Sequence, residues 1–316
     1  MNNLEIREIQ EKIFKIEENI SEIFIGKHEK IRLMLLGLFS GLHVLITDVP
    51  GVGKTTLTRC CAASTGMDFA RIQFTPDLLP GDIVGMTVWD IERQEFVFKQ
   101  GAIMHQFILA DEINRATPRT QSSLLEAMQD GTVSVDGKTW PLAEPFFVIA
   151  TQNPPSFLGT YHLPEVELDR FGIGFALGYP DDPDAAKILS LGHQLNPFKE
   201  LKPVVKPKDI VDIRKKVQEI HVSDAIKAYV VSIAKETRAS KYISLGMSVR
   251  AMQHLLVLSR AFALLAGRDF VIPEDIMDSA IPVVTHRLVF TADMRIENKT
   301  PQSIIETIFD KIKKPV

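Results

Sequence analysis

Cysteine is nearly absent from this chain of 316 residues: Cys60 and Cys61 are its only two, and they are adjacent. That excludes a disulfide framework and every spaced cysteine metal motif. None of the eight histidines belongs to an HExxH pattern, so a zincin active site is excluded too. His105, His162 and His286 are expected to be packing or surface residues. A basic excess is also missing. Thirty-six Lys and Arg face 40 Asp and Glu, a net charge of −4, which argues against a dedicated nucleic-acid surface. Long apolar runs are lacking as well. The most apolar stretch, Leu33 to Ile46, is interrupted by Gly37, Gly41 and His43 and is shorter than the ~20 residues that cross a bilayer. The opening MNNLEIREIQEKIFKIEEN is charged and amphipathic and lacks secretory signal architecture. A cytoplasmic protein follows as the expectation, with no membrane insertion and no nucleic-acid partner.

What is present is a hydrophobic fraction of 45% and a length that suits about two domains at ~150 residues each. Three short segments carry the chemistry. Asp48 to Thr55 reads DVPGVGKT, Phe107 to Arg115 reads FILADEINR, and Phe147 to Pro154 reads FVIATQNP. Each is an apolar strand-like run ending in polar residues, or follows one directly. In an open parallel sheet this layout gathers the polar residues along the C-terminal edge, where such sheets bind ligands.

The first segment has the makings of a phosphate loop. Gly51 and Gly53 let the backbone turn tightly and bring N–H groups close to an anion. Lys54 supplies a cation for the outer phosphates and Thr55 a hydroxyl for Mg²⁺. Val44-Leu45-Ile46 reads as the preceding strand, and Thr55 to Ser64 as the following helix. The nucleotide-contacting run is therefore Val49, Pro50, Gly51, Val52, Gly53, Lys54, Thr55 and Thr56. The usual pattern begins with Gly, where this chain has Asp48. A carboxylate there either weakens nucleotide binding by repulsion or turns away to serve packing or a partner.

The second segment opens as a buried central strand, Phe107 to Ala110. At its end Asp111 can hold Mg²⁺ through the ion's water shell, and Glu112 can polarise a water for attack on the γ-phosphate. Asn153 lies just beyond the end of the third segment's strand, and its amide could orient that water and report the γ-phosphate. Singly, each has an ordinary alternative: a glycine-rich turn, a surface acidic pair, a turn asparagine. The three in order point to ATP hydrolysis.

Longer strings then become informative. DEINRATPRTQSSLLEAMQDG (Asp111 to Gly131), IATQNP (Ile149 to Pro154) and GTYHLPEVELDRF (Gly159 to Phe171) strongly resemble the MoxR family of AAA+ ATPases. The resemblance runs from about Ile25 to the C-terminus, and FTPDLLPGDIVGM (Phe74 to Met86) fits the family's insert. It implies an α/β fold: a three-layer AAA+ P-loop core with a parallel sheet, plus a smaller all-α lid. It implies a homo-oligomeric ring, usually hexameric. It also implies a chaperone-like role on a protein client, often beside a protein with a von Willebrand factor A domain. Carried over by position, Arg170 matches the arginine finger that reaches a neighbour's γ-phosphate, a task suited to a planar, permanently charged fork. Its alternative is a salt bridge to Asp169 or Glu167. Arg250 matches the lid's second sensor, in cis or in trans; its alternative is an exposed arginine at a helix start. Ile25 and Gly26 resemble the segment that cups the adenine. Arg115 and Arg119 match positions near the subunit interface, with no catalytic role assigned.

Leu4 to Phe24 reads as an amphipathic helix with Ile6, Ile9, Ile13, Ile16 and Ile20 facing the core, and His28 to Ser40 as a second helix. Two hairpins are expected, from Val84 to Lys99 and around Asp136-Gly137. They face a ring pore or partner, or are plain loop decoration. The run PDDPD (Pro180 to Asp184) marks a boundary, giving a nucleotide-binding domain over 1–181 and a helical lid over 182–316. Gly192 to Lys208 reads as a solvated connection. Helices are expected over Asp209 to Glu219, Ser223 to Arg238, Ser248 to Ala266 and Pro273 to Val284, with Pro301 opening a last one. The expected function is an ATPase using ATP and Mg²⁺ to remodel a protein client. A slow nucleotide switch or scaffold and a nucleic-acid motor subunit are the rival readings.

Overall fold

The computed structural model describes residues 3–154, 160–190, 198 and 201–315. Helix α1 (Asn3–Ser21) opens it, and its isoleucine stripe is buried throughout. After a left-handed turn at Gly26 and Lys27 comes α2 (His28–Ser40). Strand β1 (Val44–Thr47), helix α3 (Lys54–Thr65) and strand β2 (Phe69–Gln73) form the first strand–helix–strand unit. Short helix α4 (Pro80–Val84) and a hairpin, β3 (Gly85–Asp90) with β4 (Glu95–Gln100), are inserted next. Val84 therefore ends a helix rather than starting the hairpin.

Strand β5 (Phe107–Asp111) and helix α5 (Pro118–Asp130) follow. A second hairpin, β6 (Thr132–Val135) with β7 (Lys138–Pro141), turns at Asp136-Gly137 as expected. Strand β8 (Phe147–Gln152), the short helix α6 (Glu165–Leu168) and strand β9 (Ile173–Phe175) complete the core. Gly159, at the head of one family-like string, lies outside the described residues.

One parallel sheet has the order β2-β5-β8-β1-β9. Val44 lies beside Ile149 and Ile173, and Leu109 beside Arg71 and Ile149. Strand β5 is buried along its whole length and β8 as far as Thr151, as expected when a parallel strand is covered on both faces. Strand β1 sits between β8 and β9, whereas its successor β2 lies at the far edge. The loops leaving β1, β5 and β8 consequently open along one edge. One buried cluster on a face of the sheet joins Leu45, Ile108 and Val148 to Phe74, Leu124 and Phe171.

The remainder is mainly helical: α7 (Asp182–Ser190), α8 (Pro207–Glu219), α9 (Asp224–Ala239), β10 (Ile243–Leu245), α10 (Val249–Leu265), α11 (Pro273–Val284), β11 (Val289–Phe290), α12 (Ala292–Ile296) and α13 (Pro301–Lys311). Ser223 and Ser248 cap α9 and α10 by accepting hydrogen bonds from the Ile226 and Ala251 amides. Proline opens α8, α11 and α13, where its missing N–H removes no helical bond.

One expectation gains a detail and another needs correction. The lid region is helical as expected, though not without strands, since β10 and β11 pair antiparallel. Backbone groups flanking α10 and α11 satisfy one another there instead of being left unpaired. The stretch before α8 is not simply solvated. Its residues 191–197, 199 and 200 lie outside the described residues, but Leu201 and Val205 are buried. The Val204 amide donates to the Ser64 carbonyl at 2.9 Å, which fastens this segment to α3. Helix α1 also reaches across the molecule, through Gln10 to the Leu265 carbonyl and Lys12 to Asp209. Among the described residues no helix is long and apolar enough to cross a membrane.

Candidate nucleotide site

The loop between β1 and α3 takes the shape a phosphate cradle needs. Gly51 and Gly53 adopt φ of 87° and 91°, a region that disfavours side chains. A Cβ on Gly53 would also lie 3.1 Å from the Phe24 ring. Helix α3 starts at Lys54, so its first N–H groups face the loop. Lys54 is buried and its ammonium donates to the Asp48 carbonyl at 2.7 Å. Burial lowers the Lys54 pKa, and the charges of Asp48, Asp111 and Glu112 partly oppose that shift.

Asp48 does not point at the loop's interior. Its Oδ1 accepts from the Val49 amide at 2.8 Å and its Oδ2 from the Gly178 amide at 2.7 Å. Of the two expectations for this residue, turning away is the one realised. Two backbone donors hold the carboxylate in a packing role.

At the end of β5, Asp111 and Glu112 diverge. Asp111 Oδ1 accepts from Thr151 Oγ1 at 2.6 Å, and Oδ2 pairs with Arg71 at 2.6 Å. Glu112 sits at φ 56° and ψ 49°, a strained backbone for a residue with a side chain, costing about 1–3 kcal/mol. The Glu112 amide donates to Thr151 Oγ1 at 2.8 Å, which helps hold that turn. Its carboxylate accepts from Asn153 at 3.3 Å, Gln73 at 3.1 Å and Arg115 at 2.8 Å. Asn153 is itself fixed, since Asn114 bonds both its amide and its carbonyl.

These elements meet around one cavity of about 350 Å³, lined by Pro50, Gly51, Gly53, Lys54, Thr55, Thr56, Asp111, Glu112 and Asn153. A second, more apolar cavity of about 320 Å³ includes Phe24, Ile25, Val52, Gly178, Pro180 and Ile188 in its lining. The two share Gly51, Gly53 and Thr56. A polar chamber thus adjoins an apolar slot, as a polyphosphate joined to a flat base requires. Val49 and Gly26 line neither: Val49 packs against the core, and a Cβ on Gly26 would meet the Asp184 carboxylate.

Arg170 and Arg250 stand elsewhere. They line a separate cleft of about 160 Å³ with His43, Gln129 and His254. Arg170 forms no salt bridge to its neighbours in sequence. Asp169 is taken by Arg287 and Ser248, and Glu167 accepts from Ser122. Arg250 follows the first residue of α10 and touches Gln129 at 3.3 Å.

Sequence reasoning missed Arg71, Gln73, Thr151, His254 and Arg287. The first three could be found from strand order, because Gln73 lies beside Asp111 in the β2–β5 register. His254 and Arg287 carry no local signal. Cys60 and Cys61 are buried in α3, and burial pushes the Cys60 thiol up to about 12, consistent with inert fillers.

Comparison with known proteins agrees with this geometry. Residues 43–173 match the ATPase family associated with various cellular activities (AAA), and residues 235–308 match the AAA lid domain. The chain is 43% identical to uncharacterized protein YeaC of Bacillus subtilis, over 96% of this chain and 94% of that one. It is 35% identical to Chaperone MoxR1 of Mycobacterium tuberculosis, over 98% of this chain and 83% of that one. A crystal structure of a candidate ATPase from Cytophaga hutchinsonii superposes with a TM-score of 0.89 at 32% identity, covering 98% and 97% of the two chains. Motifs, sheet order, cavity and relatives agree: the chain belongs to the MoxR family of AAA ATPases, and its chemistry is ATP hydrolysis.

Proposed function

We propose that this ATPase works as a homo-oligomeric ring, hexameric as the family resemblance implies, and that hydrolysis remodels or matures a protein client. Residues 1–181 serve as the nucleotide-binding domain and 182–316 as the lid. The observation that carries the reading is the separation of Arg170 and Arg250 from the chain's own Lys54 cavity. Donors for an anion lie in one cleft, and the phosphate loop with its water-activating carboxylate lies in another. A second copy that offers its arginines to the Lys54 cavity would complete the site. The printed name of Chaperone MoxR1 supports the remodelling part. The resemblance extends the reading to a partner with a von Willebrand factor A domain, and no nucleic acid is required.

Each side chain then has a task. The backbone N–H groups of the loop and Lys54 hold the outer phosphates. Ile25 and Val52 flank the base, beside the Gly178 turn. Thr55 and Asp111 supply oxygen donors in the same cavity, a set that fits a hard cation such as Mg²⁺. A cation held by these residues would supply positive charge that offsets the phosphates' negative charge. Glu112 accepts a proton from the attacking water, and Asn153 orients that water. Arg170 and Arg250 act on the adjoining copy.

A slow nucleotide switch is the second reading. It is favoured by the three donors that already hold the Glu112 carboxylate, because lone pairs engaged by protein donors are less available to a water. Turnover measured against protein concentration tests both. Specific activity should rise as the chains assemble. Activity independent of concentration across the dissociation range would overturn action between copies. Turnover no faster than nucleotide exchange would favour the switch.

A further inference from the structure

The cleft that holds Arg170 and Arg250 is a donor-rich place with no carboxylate in its lining, although the Asp169 carboxylate pairs with Arg250 at 3.9 Å. Arg170 Nε and Nη1 are buried there, and among the described residues they have no hydrogen-bond partner. The cleft's volume of about 160 Å³ equals roughly five waters at ~30 Å³ each, which suits a small anion. His254 lines the same cleft, one helical turn beyond Arg250 on α10.

The chemistry of His254 is set from behind. Its Nδ1 lies 2.6 Å from Arg287 Nη2. A guanidinium can only donate, so Nδ1 must accept, and the ring proton resides on Nε2. Burial and the charges of Arg287 and Arg250 lower the His254 pKa to about 3. The ring is therefore neutral at pH 7, with one fixed donor, Nε2–H, that has no partner among the described residues. Arg287 is held in turn by the carbonyls of Asp169, Phe171 and Gly172 and by the Asp169 carboxylate at 3.1 Å. The contact to that carboxylate is an ion pair rather than an aligned hydrogen bond, since Nε–H finds no acceptor in line. These partners bracket Arg170 on both sides, so one buried arginine positions the finger's backbone and the His254 tautomer together.

We propose that His254 is a third hydrogen-bond donor, beside Arg170 and Arg250, to the terminal phosphate of ATP held by the adjoining copy of this chain. The proposal rests on the reading that these arginines act between copies. A neutral donor suits the position: it adds a directed bond without a third full charge beside two guanidiniums.

The test uses full-length rings assembled from mixed variants with proven subunit exchange. His254→Leu should bind ATP normally and turn over roughly tenfold more slowly, the scale of one lost hydrogen bond in the transition state. His254→Gln keeps an amide N–H and should retain most of the rate. Mixing His254→Leu with Lys54→Ala should restore activity, because intact phosphate loops then meet intact donor clefts. Mixing it with Arg170→Ala should not, because every donor cleft is then impaired. Wild-type turnover in His254→Leu would overturn the proposal. So would a defect that Lys54→Ala subunits cannot rescue while they do rescue Arg170→Ala. Failure of Lys54→Ala to rescue Arg170→Ala would instead remove the reading beneath it.

Discussion

The Gly178 amide donates to Asp48 Oδ2 at 2.7 Å, tying the start of the phosphate loop to the turn after β9. Gly178 and Pro180 of that turn also line the apolar cavity. Asp48 therefore joins the phosphate chamber to the base slot while its charge faces backbone donors. Replacing it by Gly removes both acceptors and leaves the Gly178 N–H unpaired. Asp48→Gly should destabilise the protein by about 2 kcal/mol, the scale of charge-assisted hydrogen bonds to a buried group. Its affinity for a non-hydrolysable ATP analogue should be unchanged or lower. Calorimetric titration checks this, and a tenfold tightening would contradict it.

Glu112 is the one carboxylate of the cavity placed beside Asn153, at 3.3 Å. Glu112→Gln keeps the side chain's shape and removes the base. Hydrolysis should fall by at least ~10²-fold while ATP binding persists. Steady-state turnover with a parallel binding titration checks the pair, and near-normal turnover would exclude the assigned role.

Arg170 has buried nitrogens without a partner among the described residues, in a cleft apart from its own chain's Lys54. Arg170→Ala should bind ATP normally and hydrolyse it slowly. Mixing it with Lys54→Ala, itself inactive, should recover activity in rings that pair an intact arginine with an intact loop. Mixing both variants at fixed total protein and reading phosphate release tests this; no recovery despite subunit exchange would sink it.

His43 sets an acid limit on the fold. Its Nε2 donates to the Met128 carbonyl, while its Nδ1 accepts from the Val148 amide. Protonation would turn Nδ1 into a donor facing a donor. Burial accordingly lowers this pKa from 6.5 to about 4. With the folded pKa below the unfolded one, the stabilisation is complete above pH 6.5 and is lost as pH falls toward 4. The shift corresponds to roughly 3 kcal/mol. Protein atoms crowd the ring, but its remaining contact with water along the cleft reduces that figure. His254 and His286, both lowered to about 3, act in the same direction. Urea unfolding at pH 7 and pH 5 should show the loss, and equal midpoints would refute it.

Much of the core could be read directly because its signals are local. FILAD and FVIAT are apolar runs long enough to declare buried strands, and GVGKT needs only its own glycines and lysine. What could not be read depends on partners distant in the chain. Arg71 reaches Asp111 only once β2 is known to lie beside β5. The direction of Asp48 is decided by an amide 130 positions away. Leu201 and Val205 look like spacers between lysines until α3 offers them a surface. Arg250 shows its cleft only after α10 has docked near Met128 and Gln129.

The isoleucine stripe of α1 bears on how small a working fragment can be. Ile6, Ile9, Ile13, Ile16 and Ile20 are each no more than 8% exposed, and they join the same apolar interior as α10 and α13. At about 2 kcal/mol for each buried side chain, removing them forfeits roughly 10 kcal/mol. Ordering the helix costs conformational entropy that offsets part of this gain. A piece trimmed to begin at Val44 would keep every catalytic motif and uncover the apolar faces that α1 closes. The catalytic motifs therefore occupy less of the chain than the apolar interior that supports them.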